Sequence, residues 1–171
     1  MTAKQLLHLD PQRCDGCGDC VTACAALGHP ARLRVRSSAA NPGANGALAC
    51  CRHCERPLCA AVCPTACLQV GSNGVVLPRP ERCVGCRLCL VACPLGGMVF
   101  DAQGKAGKCD LCLELVRRGH PPACVASCAK GALQLVDLGN QSALQRRALA
   151  ERRGARLKHH LGGGPSRAGG A

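Results

Sequence analysis

Eighteen of the 171 residues are cysteine, and sixteen of them fall into four groups. The first group is Cys14, Cys17, Cys20 and Cys24, and the third is Cys83, Cys86, Cys89 and Cys93 with Pro94 directly after. Both read CxxCxxCxxxC. The second, Cys51, Cys54, Cys59 and Cys63 followed by Pro64, has a middle gap two residues longer, and the fourth, Cys109, Cys112, Cys124 and Cys128, a much longer one. Cys50 and Cys67 lie outside these groups. A cubane iron–sulfur core has four iron corners, each taking one soft thiolate. Two intervening residues let one loop carry sulfurs to three adjacent corners. The fourth cysteine, after three intervening residues, is better placed to reach a neighbouring cluster than its own. Zinc sites usually combine two separated pairs, often with His, so the evenly spaced run plus one favours iron and sulfide over zinc.

These cysteines must be held by short elements. Aligning the chain with itself gives four related units: QRCDGCGDCVTACAALGHPARLRV, CRHCERPLCAAVCPTACLQV, ERCVGCRLCLVACPLGGMVF and KCDLCLELVRRGHPPACVASCAKGALQLV. Each reads as a ligand loop, a turn of helix around the last two cysteines, a Gly/Pro bend and a short strand. Two more strands lead into units, at Leu6 to Leu9 and Val75 to Leu77. Residues 37–47 read as a loop. Residues 141–161 read as a basic helix weakened at Gly154, and the end of the chain has linker composition.

Composition points the same way. Phe100 is the only aromatic residue, so a conventional core is hard to build, and ligation free energy is the natural substitute. Residues 1–14 hold no apolar run of signal length and no apolar stretch is long enough to span a bilayer, which gives an expectation of a cytoplasmic protein without a membrane span. In that compartment, many thiols point to metal rather than disulfides. The formal charge is +12. Four cubanes with their thiolates would offset about 8 of these charges, and residues 146–171 carry seven basic residues against Glu151. A weakly anionic body with a basic tail results. That weakens the rival reading, a zinc-stabilised nucleic-acid-binding module, which also lacks aromatics for base stacking. No phosphate-binding loop, nicotinamide fingerprint or Ser-His-Asp set is present, so no catalytic residue is assigned and the chain is not an enzyme on its own. Cys50 and Cys67 read as spare buried thiols. The six histidines fall at no ligand spacing. His53 reads as a surface histidine, with cluster tuning as its alternative, and His159 and His160 only superficially as a metal tract.

With CRHC opening the second unit and KCDLC the fourth, residues 5–138 resemble the four-cluster ferredoxin-like subunits of multisubunit oxidoreductases. That family includes subunits of the dimethyl sulfoxide reductase, formate dehydrogenase, formate hydrogenlyase, carbon monoxide dehydrogenase and tungsten aldehyde oxidoreductase systems, the last being favoured. The resemblance implies an α+β fold of two ferredoxin-like domains, one inserted in the other. The outer domain is 1–48 with 105–138, the inner one 49–104, and 139–171 forms a basic helical and Gly-rich tail. Four 4Fe-4S clusters are implied. Their ligand sets are Cys14, Cys17, Cys20 and Cys128; Cys109, Cys112, Cys124 and Cys24; Cys51, Cys54, Cys59 and Cys93; and Cys83, Cys86, Cys89 and Cys63. The implied partners are a catalytic oxidoreductase subunit and a second redox protein (a ferredoxin, a flavoprotein or a hydrogenase subunit), with self-association through the tail as a further option. Cys67 is placed where the family has Gly in a PTGAL-like turn, and proline is absent after Cys24 and Cys128.

Overall fold

The structure is a computed structural model that describes residues 5–36 and 47–137. The basic tail and most of the loop between the first two units lie outside the described residues. In chain order the elements are β1 (Gln5–Leu9), α1 (Asp19–Ala25), β2 (Leu33–Arg36), β3 (Ala47–Cys50), α2 (Leu58–Ala61), β4 (Leu68–Val70) and β5 (Val76–Pro78). A 3-10 turn at Pro80–Arg82 leads to α3 (Leu88–Ala92), β6 (Met98–Phe100), β7 (Ala106–Lys108), α4 (Leu113–Arg117), α5 (Ala123–Ala126) and β8 (Leu133–Asp137). The class is α+β: short helices between small antiparallel strand pairs.

Each expected turn of helix forms. α1 carries Cys20 and Cys24, α2 carries Cys59 just ahead of Cys63, α3 carries Cys89 and ends at Cys93, and α5 carries Cys124 ahead of Cys128. The strand after each is β2, β4, β6 or β8. Pairing within described residues is antiparallel throughout: β1 with β8, β2 with β3, β4 with β5, and β6 with β7. In the first pair Leu7 stands opposite Leu135, so the start of the described chain is zipped to its end. Three elements lie beyond what the repeat predicts. β3 and β7 supply the second strand of two pairs, and α4 fills the long gap of the fourth group, where Arg118 reaches back to Glu114 at 2.8 Å.

None of these helices is long enough to persist alone, and two-stranded ribbons are marginal in water. Packing is shared between α1 and α5 and between α2 and α3. Two buried clusters form. One gathers Leu7, Leu33 and Leu133 with Cys20, Cys24, Cys50, Cys51, Cys109 and Cys124. The other gathers Leu68, Val76, Met98 and Ala106 with Cys59, Cys67, Cys83 and Cys89. Cysteine therefore takes core positions that branched aliphatics fill elsewhere.

The bend after the last cysteine of a unit is a turn closed on that cysteine's carbonyl. The amides of Ala66, Gly96 and Gly131 donate to the carbonyls of Cys63, Cys93 and Cys128 at 3.3, 3.4 and 2.8 Å. All three residues have positive φ, and at Ala66 it is 51°. This corrects the reading of Cys67 as the glycine position of the turn: the residue in left-handed conformation is Ala66. An L-residue there costs about 1–2 kcal/mol. Gly97, next along in the third unit, is constrained differently, since a Cβ on it would lie 2.8 Å from the Cys51 Cα and 2.9 Å from the Cys51 nitrogen. Two outcomes are expected for the cluster-loaded protein. Ala66→Gly raises the temperature of visible bleaching, with a net gain of about 0.5–1 kcal/mol after the unfolded-state entropy is subtracted. Gly97→Ala, which meets backbone rather than a movable side chain, costs about 2 kcal/mol or more and lowers iron content. A glycine variant that bleaches at a lower temperature than wild type would show that the Ala66 turn is not strained.

Candidate functional site

The CxxC loops share one backbone device. Gly16, His53, Gly85 and Leu111, each just before the second cysteine, all have positive φ, between 46° and 79°. The left-handed residue turns the chain so that amides point inward at sulfur. The His53 amide donates to the Cys51 sulfur at 3.3 Å and the Leu111 amide to the Cys109 sulfur at 3.4 Å. At the other end of the units, the Cys67 amide donates to the Cys63 sulfur at 3.2 Å and the Gly97 amide to the Cys93 sulfur at 3.4 Å. Arg32 and Ala106 amides do the same for Cys24 and Cys83 at 3.4 and 3.3 Å. Amide hydrogen bonds of this kind stabilise thiolate and tune cluster potential.

Two cavities collect cysteines from different groups. One, of about 250 Å³, is lined by Cys51, Cys54 and Cys59 from the second group and Cys93 from the third, together with Arg52, Arg56 and Lys108. The other is lined by Cys83, Cys86 and Cys89 from the third group and Cys63 from the second, with Cys67 and Arg87. The first and fourth groups also meet. Burial pushes the Cys20 thiol up, and the nearby thiols of Cys128, Cys14 and Cys17 push it further. Burial raises Cys124 to about 12, assisted by Cys112, Cys24 and Cys20. Cys112 is raised by burial, with Asp110 and Cys24 adding to it, and Cys109 by burial, Cys50 and Cys124.

These thiols ring volumes rather than converge on points. Among the described residues no three His, Cys, Asp or Glu side chains come together as one metal ion requires, since zinc–sulfur bonds of about 2.3 Å bring ligands into mutual contact. A cubane spreads its four sulfurs over the corners of a larger body, and the 250 Å³ cavity lined by Cys51, Cys54, Cys59 and Cys93, with inward amides on Cys51 and Cys93, fits that group; the second cavity, lined by five cysteines, is closed to about 10 Å³. Cys17, Cys54 and Cys86 are exposed, each the second cysteine of its loop, so one corner of each such site faces outward.

Two residues stand where the sequence did not put them. His53 is fully buried, not on the surface: its Nδ1 accepts the Val76 amide at 3.1 Å and lies 3.6 Å from the Cys51 sulfur, tying the second loop to β5. Lys108 is 2% exposed, and its Nζ donates toward the Cys59 sulfur at 3.7 Å. Only the in-out-in burial of the Ala106–Lys108 strand marks it, too short a signal to read without the partner strand β6. Cys67 is buried, as expected, and also lines the second cavity. Burial raises it to about 11. Cys50, buried as expected, is likewise raised by burial to about 11.

Comparison with known proteins agrees with this chemistry. Residues 47–138 match the model of the 4Fe-4S dicluster domain and residues 8–30 that of a 4Fe-4S binding domain. The protein is 35% identical to the thiosulfate reductase electron transfer subunit PhsB of Salmonella typhi, over 85% of this chain and 82% of that protein. It is 34% identical to the B component of the anaerobic dimethyl sulfoxide reductase of Haemophilus influenzae, over 77% and 73% respectively. Against the NADH-dependent phenylglyoxylate dehydrogenase subunit beta of Aromatoleum evansii the identity is 39% over 81% of this chain, which spans only 31% of that subunit. No helix among the described residues is long and apolar enough to cross a membrane. With cysteine-lined cavities, inward amides and these relatives, the chain belongs to the 4Fe-4S dicluster family of ferredoxin-type electron-transfer subunits.

Proposed function

We propose that the chain is a wire of four 4Fe-4S clusters. It would pass single electrons between the catalytic subunit of an oxidoreductase complex, a tungsten- or molybdenum-pterin enzyme such as an aldehyde oxidoreductase, and a second redox protein. The observation that carries the proposal is the crossing seen in both cavities: three cysteines of one group with the last cysteine of another. Crossing places two clusters close together within one folded unit, which is what relay requires. When bound, each cluster supplies reversible one-electron transfer.

The ligand sets follow: Cys51, Cys54, Cys59 and Cys93 for one inner cluster, and Cys83, Cys86, Cys89 and Cys63 for the other. The outer pair takes Cys14, Cys17, Cys20 and Cys128, and Cys109, Cys112, Cys124 and Cys24, supported by the mutual influence of those thiols. Nested ferredoxin-like domains, 1–48 with 105–138 around 49–104, are supported by the β1–β8 pairing and by the packing of α1 on α5 and α2 on α3. Apolar side chains left exposed in the cysteine loops and helices, Val84 and Val91 above all at 66% and 86%, are what a partner subunit would cover.

Anaerobic purification is expected to give a brown protein with about 16 iron and 16 sulfide per chain, and Cys54→Ser is expected to remove about a quarter of both or convert one signal. Stoichiometric zinc without sulfide would overturn the reading. Loading also has a pH dependence with a definite sign. Ligation needs the thiolate, and burial holds Cys109, Cys124 and Cys51 protonated above the ordinary thiol range. Each bound sulfur therefore releases a proton, and incorporation at fixed iron and sulfide rises as the pH is raised from about 6.5 to about 8.5. Iron content after anaerobic reconstitution at each pH checks this, and a flat profile would contradict it.

A further inference from the structure

A buried ammonium is tolerated only where opposite charge or several acceptors compensate its lost hydration. Lys108 has 2% of its surface exposed and, among the described residues, no carboxylate within ion-pair distance. Its Nζ donates toward the Cys59 sulfur at 3.7 Å, and it also acts on the Cys51 sulfur, through charge and a side-chain hydrogen bond that oppose the effect of burial. Both sulfurs border the 250 Å³ cavity, and Lys108 lines that cavity with them. The compensating charge must therefore come from inside the cavity. A 4Fe-4S core with four thiolates supplies about −2 when oxidised and about −3 when reduced. An adjacent fixed cation favours the more negative of these states.

Lys108 does not have this position by default. The third-group cavity is lined by Arg87 as its one cation, and Arg87 lies with its guanidinium 5.5 Å above the Phe100 ring rather than against a sulfur. Arg32, beside Cys24 and Cys112, is paired with Asp110 at 2.7 Å, so its charge is already balanced. Arg52, which also borders the Lys108 cavity, donates to the Leu7 carbonyl at 2.6 Å and acts on the sulfur of Cys50, which lies outside the ligand sets. Lys108 is the buried, carboxylate-free cation aimed at cluster sulfur.

We propose that Lys108 is the positioning residue that raises the reduction potential of the cluster held by Cys51, Cys54, Cys59 and Cys93, making this site the preferred resting place of the electron among the inner two. The proposal rests on the ligand set given above. Reduction adds one electron, delivered by the partner enzyme, and moves no atom. It acts on the difference between the two charge states through a short, poorly screened distance.

The experiment is a redox titration of the full-length, cluster-loaded protein followed by electron paramagnetic resonance, with iron counted in every sample. Wild type, Lys108→Met, Lys108→Gln and Lys108→Arg are compared, and Cys54→Ser marks which signal belongs to this site. In Lys108→Met, or in Lys108→Gln should the methionine variant fail to load, the reduction equilibrium of the marked signal is expected to fall at least tenfold, about 59 mV for one electron. The other signals stay in place, and Lys108→Arg returns the marked one to within about threefold of wild type by restoring the charge. A neutral variant with full iron and an unmoved marked signal overturns the role of Lys108 while leaving the ligand set standing. A shift confined to a different signal overturns it too. If Cys54→Ser neither removes nor converts any signal and leaves the iron content unchanged, the ligand set fails and takes the proposal with it.

Discussion

The bond between cysteine sulfur and iron does in this chain what aromatic packing does in others. Helices of four to seven residues, two-stranded ribbons and a single phenylalanine leave little apolar surface to hide, and each element alone is below the length at which it would persist. In the proposed ligand sets each cubane joins three thiolates of one group to the last thiolate of another, distant in sequence. Ligation free energy is then folding free energy. The buried residues make the same point, since cysteines fill both cores alongside a few leucines and valines.

That constraint reaches down to single backbone angles. A loop that must bring successive sulfurs to adjacent corners while aiming amides at them needs a left-handed residue before its second cysteine, and all four loops have one. Two use glycine, which adopts it freely. The other two use His53 and Leu111, both buried, so the side chain stays and the backbone bears the strain. At His53 the exchange has a visible return: the imidazole fixes β5 through the Val76 amide while sitting against the Cys51 sulfur. Leu111 instead fills the first core.

Much of this is legible because the cysteine ladder is periodic. Spacing alone locates the helical turn on Cys20 and Cys24 and on Cys89 and Cys93, the bend after them, and the strand that follows. The misses share a cause. β3 and β7 are three or four residues long and pair with strands that come from other units, so no local alternation announces them. Burial of His53 and Lys108 is likewise decided by what crosses over them, and a polar residue between cysteines carries no hydropathy signal of its own. Ala66 is hidden for the opposite reason: a residue type that favours helix is placed by the turn hydrogen bond to Cys63 into a conformation it disfavours.

Repetition also limits what the ladder can explain. Cysteine groups built on nearly the same loop, with similar amide donors, would give clusters of similar potential if the cysteines were all that mattered. A relay whose sites are identical has no preferred direction and no place where an electron waits. Differences must come from residues outside the ladder, and the charged ones are placed unevenly. The cavity of Cys51, Cys54, Cys59 and Cys93 is bordered by Arg52, Arg56 and Lys108, its neighbour by Arg87. The formal +12 of the chain therefore matters less as a property of its surface than through where a few cations are buried. Those facing solvent are screened within about 10 Å, while one held against a thiolate acts in a medium that screens it little.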